Sequence, residues 1–263
     1  MEKVHFGSRE VSSVIGLPVD TLDWPTVLGR LEGWAARRES RYVCICNVHS
    51  IVTGRQDPSF AAVIRQADMV TADGAPVAWL MRRTGVLGQQ RINGPDLMWN
   101  YCAQAALRDE SIYLYGGQQD TLDELQKVLL RHFPTLKIAG AYSPPYRKLT
   151  DEEDAAIVED INASGAGTVW VSLGCPKQER WMADHVGRIN ATMIGVGAAF
   201  DYHAGTIQRA PMWMQRYGLE WFNRLCDEPR RLWKRYLITN TLFIFYAGRQ
   251  LMNRRPSPAS SET

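Results

Sequence analysis

The chain has 263 residues, of which 45% are hydrophobic and 22% are charged, and its formal net charge is +2. This size suits one large α/β domain or a domain with an appendage, and the composition excludes a disordered chain. The first ten residues lack the basic start and apolar run of a signal peptide, and the longest apolar run, Tyr236 to Ala247, is too short to span a bilayer, so we expect neither a signal peptide nor a transmembrane helix.

Short apolar runs alternate with helical patterns along most of the chain. The runs that we predict as buried strands are rich in β-branched and aromatic residues and lie at residues 42–46, 67–71, 112–115, 137–141, 169–173 and 192–196. Apolar residues recur at helical spacing over residues 24–34 and 122–129. Pro95 suits the first turn of another helix, and Thr150 with Glu153 forms a capping box before a further one. This alternation predicts an α/β fold, with a Rossmann-like, largely parallel sheet and helices on both faces.

The C-terminal part differs in composition from the rest. Residues 208–255 hold ten Lys or Arg and three Asp or Glu, a local charge of +7, while the remainder of the chain is at −5. Aromatic residues lie among these basic ones, a mixture that suits an anionic membrane surface. We therefore predict an α/β domain over residues 1–207, a basic, aromatic, helical appendage that associates with membranes over 208–255, and a disordered tail over 256–263.

Two other interpretations of this appendage stay open. In the first, it packs on its own domain and exposes a solvated basic face. In the second, it binds nucleic acid through its positive charge. Apolar residues interleaved with the basic ones favour lipid or core packing, so we expect no nucleic-acid partner; these residues are Leu232, Leu237, Ile238, Leu242 and Ile244.

Polar residues and glycines follow the predicted strands. Parallel strands end at the same edge of a sheet and ligands bind beyond those ends, so these residues are candidates for one shared cleft. They are Asn47, His49, Asp73, Gly74, Gly116, Gly117, Gly174, Pro176, Lys177, Gln178, Glu179, Gly197 and Asp201.

Several common site motifs are missing. The nearest match to the G-x-G-x-x-G dinucleotide motif, residues 195–200, lacks the third glycine, and neither a P-loop nor an H-E-x-x-H motif occurs. The five cysteines form no C-x-x-C pair, which favours reduced thiols in the cytoplasm. No Asp-x-Asp pair occurs to hold a divalent ion on a diphosphate, so cationic side chains and helix N-termini would have to stabilise such a group.

Eight short motifs follow one another between Val14 and Arg249. They are Asn47-x-His49, Ala72-Asp73-Gly74, Arg91-Ile92-x-Gly94-x-Asp96, Gly174-x-Pro176-Lys177-Gln178-Glu179, Gly195-Val196-Gly197, Phe200-Asp201, Arg209-Ala210-Pro211 and Leu219-Glu220-Trp221. In this order they resemble the WecG/TagA/CpsF family of bacterial glycosyltransferases.

The resemblance implies an enzyme that moves a hexose or hexosaminyl unit from a UDP-sugar to a polyprenyl-diphosphate-linked sugar, in exopolysaccharide or cell-envelope glycan assembly. It implies inversion of the anomeric centre without a metal or cofactor, at the cytoplasmic face of the inner membrane, and it leaves a homo-oligomer open. Donor sugars in the family are of the N-acetylmannosamine type, or glucose in xanthan-type β-glucosyl transfer. Many members carry Thr where this chain has Ile45, so the donor stays open.

The resemblance also assigns roles to residues. Asp73 corresponds to the family's proposed base, and Asn47 and Arg91 correspond to its Asn and Arg. The loop from Gly174 to Glu179 corresponds to the contact with nucleotide and sugar, and we place Gly116, Gly117, Gly197 and Asp201 in the same set. The candidates for binding the lipid diphosphate are Arg224, Arg231, Lys234 and Arg235, of which the first three would share a face on one continuous helix.

Simpler interpretations of these residues stay open as well. Asp73 is also a suitable turn residue or N-cap before a helix at 76–81, and Asn47 is a suitable turn former. Arg91 is also suitable as an ordinary surface arginine, and His49 is suitable as a structural residue. Lys177 and Gln178 also fit the start of a helix. The alternative function is a non-catalytic, membrane-associated nucleotide-sugar-binding protein.

Overall fold

The computed structural model describes residues 4–6 and 9–253. In this part of the chain, a small antiparallel sheet joins β1 (Val4–Phe6), β2 (Arg9–Val14) and β3 (Leu17–Asp20). A second sheet has six strands, β4 (Arg41–Cys46), β5 (Met69–Ala72), β6 (Ser111–Gly116), β7 (Lys137–Tyr142), β8 (Thr168–Ser172) and β9 (Thr192–Gly195). Its order is β5-β4-β9-β8-β6-β7, and every pairing is parallel.

The six predicted strands are confirmed within a few residues at each end, whereas the small sheet was not predicted. The tail predicted at 256–263 lies outside the described residues.

Twelve helices lie within the described ranges. They are α1 (Trp24–Ala36), α2 (Val48–Gln56), α3 (Pro58–Gln66), α4 (Ala75–Arg83), α5 (Gly94–Leu107), α6 (Gln119–His132), α7 (Asp151–Ser164), α8 (Lys177–His185), α9 (Ala199–Ala204), α10 (Met212–Arg216), α11 (Glu220–Asp227) and α12 (Pro229–Met252). The capping box predicted at Thr150 and Glu153 starts α7, and Pro95 lies in the first turn of α5, as predicted.

Side chains of the large sheet point alternately into two cores. From β4, Cys44 and Cys46 join the core that contains α2, α3, α4, α7, α8 and α12. Val43 and Ile45 join the other core, with α1, α5, α6 and α9. Strands that are buried on both faces read as continuous apolar runs, which is why the sequence indicated them so clearly. The Rossmann-like α/β fold is confirmed.

The C-terminal segment folds as three helices, with a break between α11 and α12 at Glu228 and Pro229. Arg224, Arg231 and Lys234 would share a face only on one continuous helix, and this condition is not met, because proline at the first turn of α12 starts a new helix. The far half of α12 packs on α2 and buries Phe243 in the core of the main domain. None of the described helices is both long and apolar enough to cross a membrane.

Candidate active site

A cleft of about 1680 Å³ lies beyond the carboxyl ends of the parallel strands. One side is formed by the loops that follow the strands, and the other by residues of α11 and α12. Most of the predicted site residues line it, namely Asn47, Asp73, Arg91, Gly117, Gly174, Lys177, Gln178, Glu179, Gly197, Asp201, Arg224, Arg231 and Arg235. The parallel topology of the sheet and the packing of the C-terminal helices together bring into one cleft residues that are up to 188 positions apart in the chain.

Three predicted site residues do not line the cleft. Gly116 packs against β8, where a Cβ atom would come within 2.4 Å of the carbonyl oxygen of Ser172. Pro176 is the N-cap of α8 and lies between cleft-lining residues without lining the cleft itself. Lys234 lies on the exposed side of α12.

Asp73 and Asn47 leave neighbouring strands side by side. Cys46 and Ala72 are register partners at the ends of β4 and β5, and the backbone N–H of Asp73 donates a 3.0 Å hydrogen bond to the carbonyl of Cys46. The chain turns sharply after Asp73 because Gly74 has φ of +86°. Gly74 itself is the N-cap of α4, and no described side chain caps that helix, so the interpretation of Asp73 as an N-cap was wrong.

The side chain of Asp73 is only 21% exposed on the floor of the cleft. Burial raises the pKa of its carboxyl group to about 6, while the positive charge of Arg91 acts in the opposite direction. Since a proton acceptor works best with a pKa near the working pH, this environment suits a general base.

Asn47 has a structural function that the sequence left open. Its Oδ1 atom accepts hydrogen bonds of 3.0 and 3.2 Å from the backbone N–H groups of His49 and Ser50, and so caps α2. The residue is exposed to the cleft, and its contact with a ligand stays a prediction.

Arg91 joins Asp73 to the C-terminal segment. Its Nε atom lies 3.7 Å from Oδ1 of Asp73, and its Nη2 atom forms an ion pair with Oε2 of Glu220 at the start of α11. The other oxygen of Glu220 lies 3.8 Å from Nε of Arg209. Arg209 in turn contacts both carboxylate oxygens of Asp96, at 2.5 and 3.0 Å. Arg91 is therefore part of a charge network and not an isolated surface arginine.

Asp96, Arg209 and Glu220 form this network, yet the sequence assigned them no function. All three lie in the motifs that carry the family resemblance. The signal was thus present, but Asp96 in a first helical turn also suits simple capping, and indeed its backbone N–H binds Asn93 at 2.9 Å. Gly94, in the same motif, allows a close approach, because a Cβ atom there would lie 2.7 Å from the carbonyl of Val196.

Gln178 and Glu179 are buried, and Gln178 forms hydrogen bonds that stabilise the loops of the cleft. The Oε1 atom of Gln178 accepts a 3.1 Å hydrogen bond from the N–H of Gly197, and its Nε2 donates a 3.0 Å bond to Glu179. The Glu179 side chain is fully buried, burial raises its pKa, and its Oε2 atom finds no hydrogen-bond partner in the described part of the chain. Lys177 is exposed instead, with its ammonium 5.9 Å from the ring of Tyr146.

Arginines of the C-terminal segment face the strand ends across the cleft. Arg224 lies 5.6 Å from the ring centre of Tyr202 and 3.4 Å from Glu228, while Arg231 contacts Glu228 at 2.8 Å. Burial raises the pKa of Asp201, which Arg224 opposes.

Arg235 acts on His49 from the same wall. Burial, reinforced by the charge of Arg235, lowers the pKa of His49 to about 4, so His49 is neutral at physiological pH. Among residues 4–6 and 9–253, no group of three or more His, Cys, Asp or Glu side chains is arranged to hold a metal ion. Transfer without a metal stays a prediction.

The six-stranded parallel sheet, with helices on both faces and a cleft at its strand ends, defines an α/β protein of the Rossmann-like class. The sequence model of the Glycosyl transferase WecG/TagA/CpsF family matches residues 12–257, and the chain belongs to this family. It is a glycosyltransferase.

Two curated bacterial proteins are similar to the chain, and both are named N-acetylglucosaminyldiphosphoundecaprenol N-acetyl-beta-D-mannosaminyltransferase. The protein of Bacillus spizizenii (strain ATCC 23059 / NRRL B-14472 / W23) is 31% identical over 229 residues, which cover 84% of this chain and 86% of that protein. The protein of Bacillus subtilis (strain 168) is 32% identical over 183 residues, or 69% of each chain.

Proposed function

We propose that this enzyme transfers an N-acetylmannosamine-type sugar from a UDP-sugar to a polyprenyl-diphosphate-linked sugar, with inversion, in bacterial exopolysaccharide or cell-envelope glycan assembly. The observation that carries the proposal is the largely buried carboxylate of Asp73, with a pKa of about 6, in one cleft with the arginines of the C-terminal helices. The names of the two Bacillus relatives supply the sugar and the lipid-linked acceptor.

In this reaction a hydroxyl oxygen of the acceptor attacks the anomeric carbon, and Asp73 takes the hydroxyl proton. The bond from that carbon to the donor diphosphate breaks, and its electron pair leaves with UDP. Attack from the side opposite the leaving group inverts the anomeric centre, so one carboxylate is sufficient. A positioned general base contributes roughly 10²–10⁴-fold to the rate.

The cationic residues of the cleft suit the two diphosphates that the reaction involves. Lys177 lies at the start of α8, on the side of the strand loops, and we assign it to the leaving diphosphate. Arg224, Arg231 and Arg235 lie on the opposite wall, and we assign them to the diphosphate of the lipid-linked acceptor. Arg91 lies beside Asp73 and forms an ion pair with Glu220 at the start of α11.

Glucose is a second candidate for the donor sugar. Ile45 lines the cleft with a 6% exposed, apolar side chain, where many family members carry a hydroxyl-bearing Thr. A hydroxyl can bind a polar sugar substituent and an isoleucine cannot, so Ile45 is consistent with a different donor.

We also propose that the segment 208–255 holds the enzyme at the cytoplasmic face of the inner membrane as a peripheral protein. Large apolar side chains of α10 to α12 are exposed, and they are Met212, Trp213, Trp221, Phe222, Trp233, Leu237, Ile238, Ile244, Phe245 and Met252. Exposed rings among basic residues suit the headgroup layer of an anionic bilayer. A polyprenyl acceptor would meet the cleft at that surface.

A donor screen tests the function. Purified enzyme receives UDP-N-acetylmannosamine or UDP-glucose together with a polyprenyl-diphosphate-linked N-acetylglucosamine, and mass spectrometry identifies the lipid product. We expect a mass gain of one N-acetylhexosamine. A gain of one hexose would assign the donor to glucose instead. Donor binding without transfer to this acceptor would support the non-catalytic alternative and contradict the proposal.

A further inference from the structure

Glu220 makes contact with two arginines that come from different parts of the chain. Arg91 precedes α5 and Arg209 precedes α10, and each places a guanidinium nitrogen on a different oxygen of the Glu220 carboxylate. All three side chains are about three-quarters buried, with exposed fractions of 23% for Glu220, 21% for Arg91 and 27% for Arg209. Charge pairs shielded from water in this way act more strongly on their neighbours than surface pairs do.

This arrangement is anchored in the main domain. Arg209 binds both oxygens of Asp96, and Asp96 accepts a 2.6 Å hydrogen bond from Nδ2 of Asn93, the N-cap of α5. Just before α11, Gly218 approaches the start of α4 so closely that a Cβ atom would lie 2.6 Å from that of Ala75. The start of α11 is thus fixed beside the turn that carries Asp73.

The position of Glu220 decides what Arg91 does. One end of the Arg91 guanidinium is held by Glu220, which leaves its Nε atom 3.7 Å from Asp73, beyond hydrogen-bond range. Without Glu220, Arg91 would be free to close on the Asp73 carboxylate as a direct pair. A carboxylate in a direct pair with arginine is a weaker base, because its charged form is stabilised.

We propose that Glu220 is a positioning residue, which holds Arg91 away from Asp73 and so keeps the carboxylate available to accept the proton of the sugar hydroxyl. The proposal rests on the function proposed for Asp73. It also links the docking of α11 to the chemistry, because the carboxylate is kept free only when the start of α11 is in place.

Several titratable groups lie near the carboxyl group of Asp73, and the charged ones among them affect its pKa. They are Arg91 and Arg209 from two loops, Glu220 from α11, Tyr202 from α9 and Cys46 from β4. Besides burial, three charges act on the pKa of Asp73. The positive charges of Arg91 and Arg209 lower it, and the negative charge of Glu220 raises it. Loss of Glu220 therefore lowers this pKa twice, by removing a negative charge and by releasing Arg91.

The test compares Glu220→Gln, which keeps the shape and removes the charge, with the wild type over a pH series. We expect kcat to fall roughly 10- to 100-fold, as displacement of a group next to the reacting atoms does. The acidic limb of kcat/KM should move to lower pH, and binding of UDP-sugar should persist. Asp227→Asn is the matched control. It removes an exposed carboxylate from the same helix, and this carboxylate contacts Asn223 and not Arg91.

Other outcomes separate the possible explanations. Unchanged activity of Glu220→Gln, or a loss of activity with the limb in its wild-type position, would overturn the role of Glu220. If Glu220→Gln does not fold, Glu220→Asp supplies the test: with the charge retained, the limb should stay near its wild-type position and activity should exceed a tenth of wild type. Full activity in Asp73→Asn would instead remove the proposed base, a failure that is distinct from the failure of Glu220 alone.

Discussion

The Oδ1 atom of Asp73 lies 3.7 Å from the Nε atom of Arg91, and this nitrogen is buried without a hydrogen-bond partner among the described residues. At this separation the arginine stabilises the negative charge of the carboxylate but does not occupy its oxygen atom. The carboxylate of Asp73 is therefore free to bind a hydroxyl group in the cleft.

Asp73→Asn should reduce kcat by at least roughly 10²-fold, because an amide cannot accept the proton of the attacking hydroxyl. Steady-state transfer of labelled sugar to the lipid acceptor measures the loss. Near-wild-type turnover would show that another group is the base.

The stability of the same variant provides its control. The ordinary pKa of an aspartate carboxyl group is 3.8, whereas burial raises the pKa of Asp73 to about 6 in the folded protein. Because the folded protein holds this proton more tightly than the unfolded chain does, the wild type loses stability as the pH rises between these two values. Asparagine carries no charge at any pH in this range, so the variant does not lose stability in this way. Thermal unfolding should therefore show Asp73→Asn gaining stability relative to the wild type between pH 4 and pH 8, which also demonstrates that it folds.

Activity should fall on the acidic side with a midpoint near pH 6, the pKa that burial gives to Asp73. His49 also lines the cleft, but burial and Arg235 lower its pKa to about 4, so it stays neutral across this range. A pH series of kcat/KM measures the midpoint. The limb should keep its position in His49→Gln, and a shift of the limb in that variant would assign it to the histidine.

Transfer should continue in the presence of EDTA. The sequence has no Asp-x-Asp pair, and Lys177, at the start of α8, is available in the cleft for the negative charge of the leaving diphosphate. Rates with EDTA, with Mg²⁺ and with Mn²⁺ should agree within a factor of about two. A rate that collapses on chelation and returns with either ion would refute transfer without a metal.

Arg235 and Lys234 are neighbours on α12 that form a matched pair, because Arg235 lines the cleft and Lys234 does not. Arg235→Gln should reduce kcat/KM for the lipid acceptor roughly 10- to 100-fold, the value of a charged hydrogen bond, and leave UDP-sugar binding unchanged. Lys234→Gln removes the same charge and should have little effect on transfer. Equal losses in the two variants would indicate general attraction to the membrane instead of contact with the diphosphate.

Replacement of Trp213, Trp233 and Phe245 by Ser should release the protein from anionic liposomes, because each of these aromatic residues is more than half exposed on the C-terminal segment. Sedimentation with liposomes measures the bound fraction, which should also fall with salt. Leu107→Ser is the control, since Leu107 is 87% exposed on the main domain. Deletion of the whole segment is a poorer test, because it would remove Phe243 and Ala247 from the core. Sedimentation of the triple variant at the wild-type level would contradict membrane association through these rings.

The sequence by itself determined the large sheet and the location of the cleft. Strands buried on both faces appear as unbroken apolar runs, and the ends of parallel strands must share one edge, so Asn47 and Asp73 could be placed together without coordinates. The sequence patterns did not predict the N-terminal sheet, because its strands are short and β2 mixes more exposed with buried residues, including Ser12 and Ser13.

Only the tertiary structure determined which charged side chains form ion pairs. Arg91 and Glu220 are 129 positions apart, and no local pattern indicates that a loop before α5 and the start of α11 share a carboxylate–guanidinium contact. The choice between Lys234 and Arg235 likewise depended on how α12 packs. Its buried residues include Leu232, Thr239 and Phe243, and Arg235 lies three and four positions from the first two, on the same face. Neighbouring residues of a helix point about 100° apart, so packing one face against the domain turns Arg235 towards the cleft and Lys234 towards solvent.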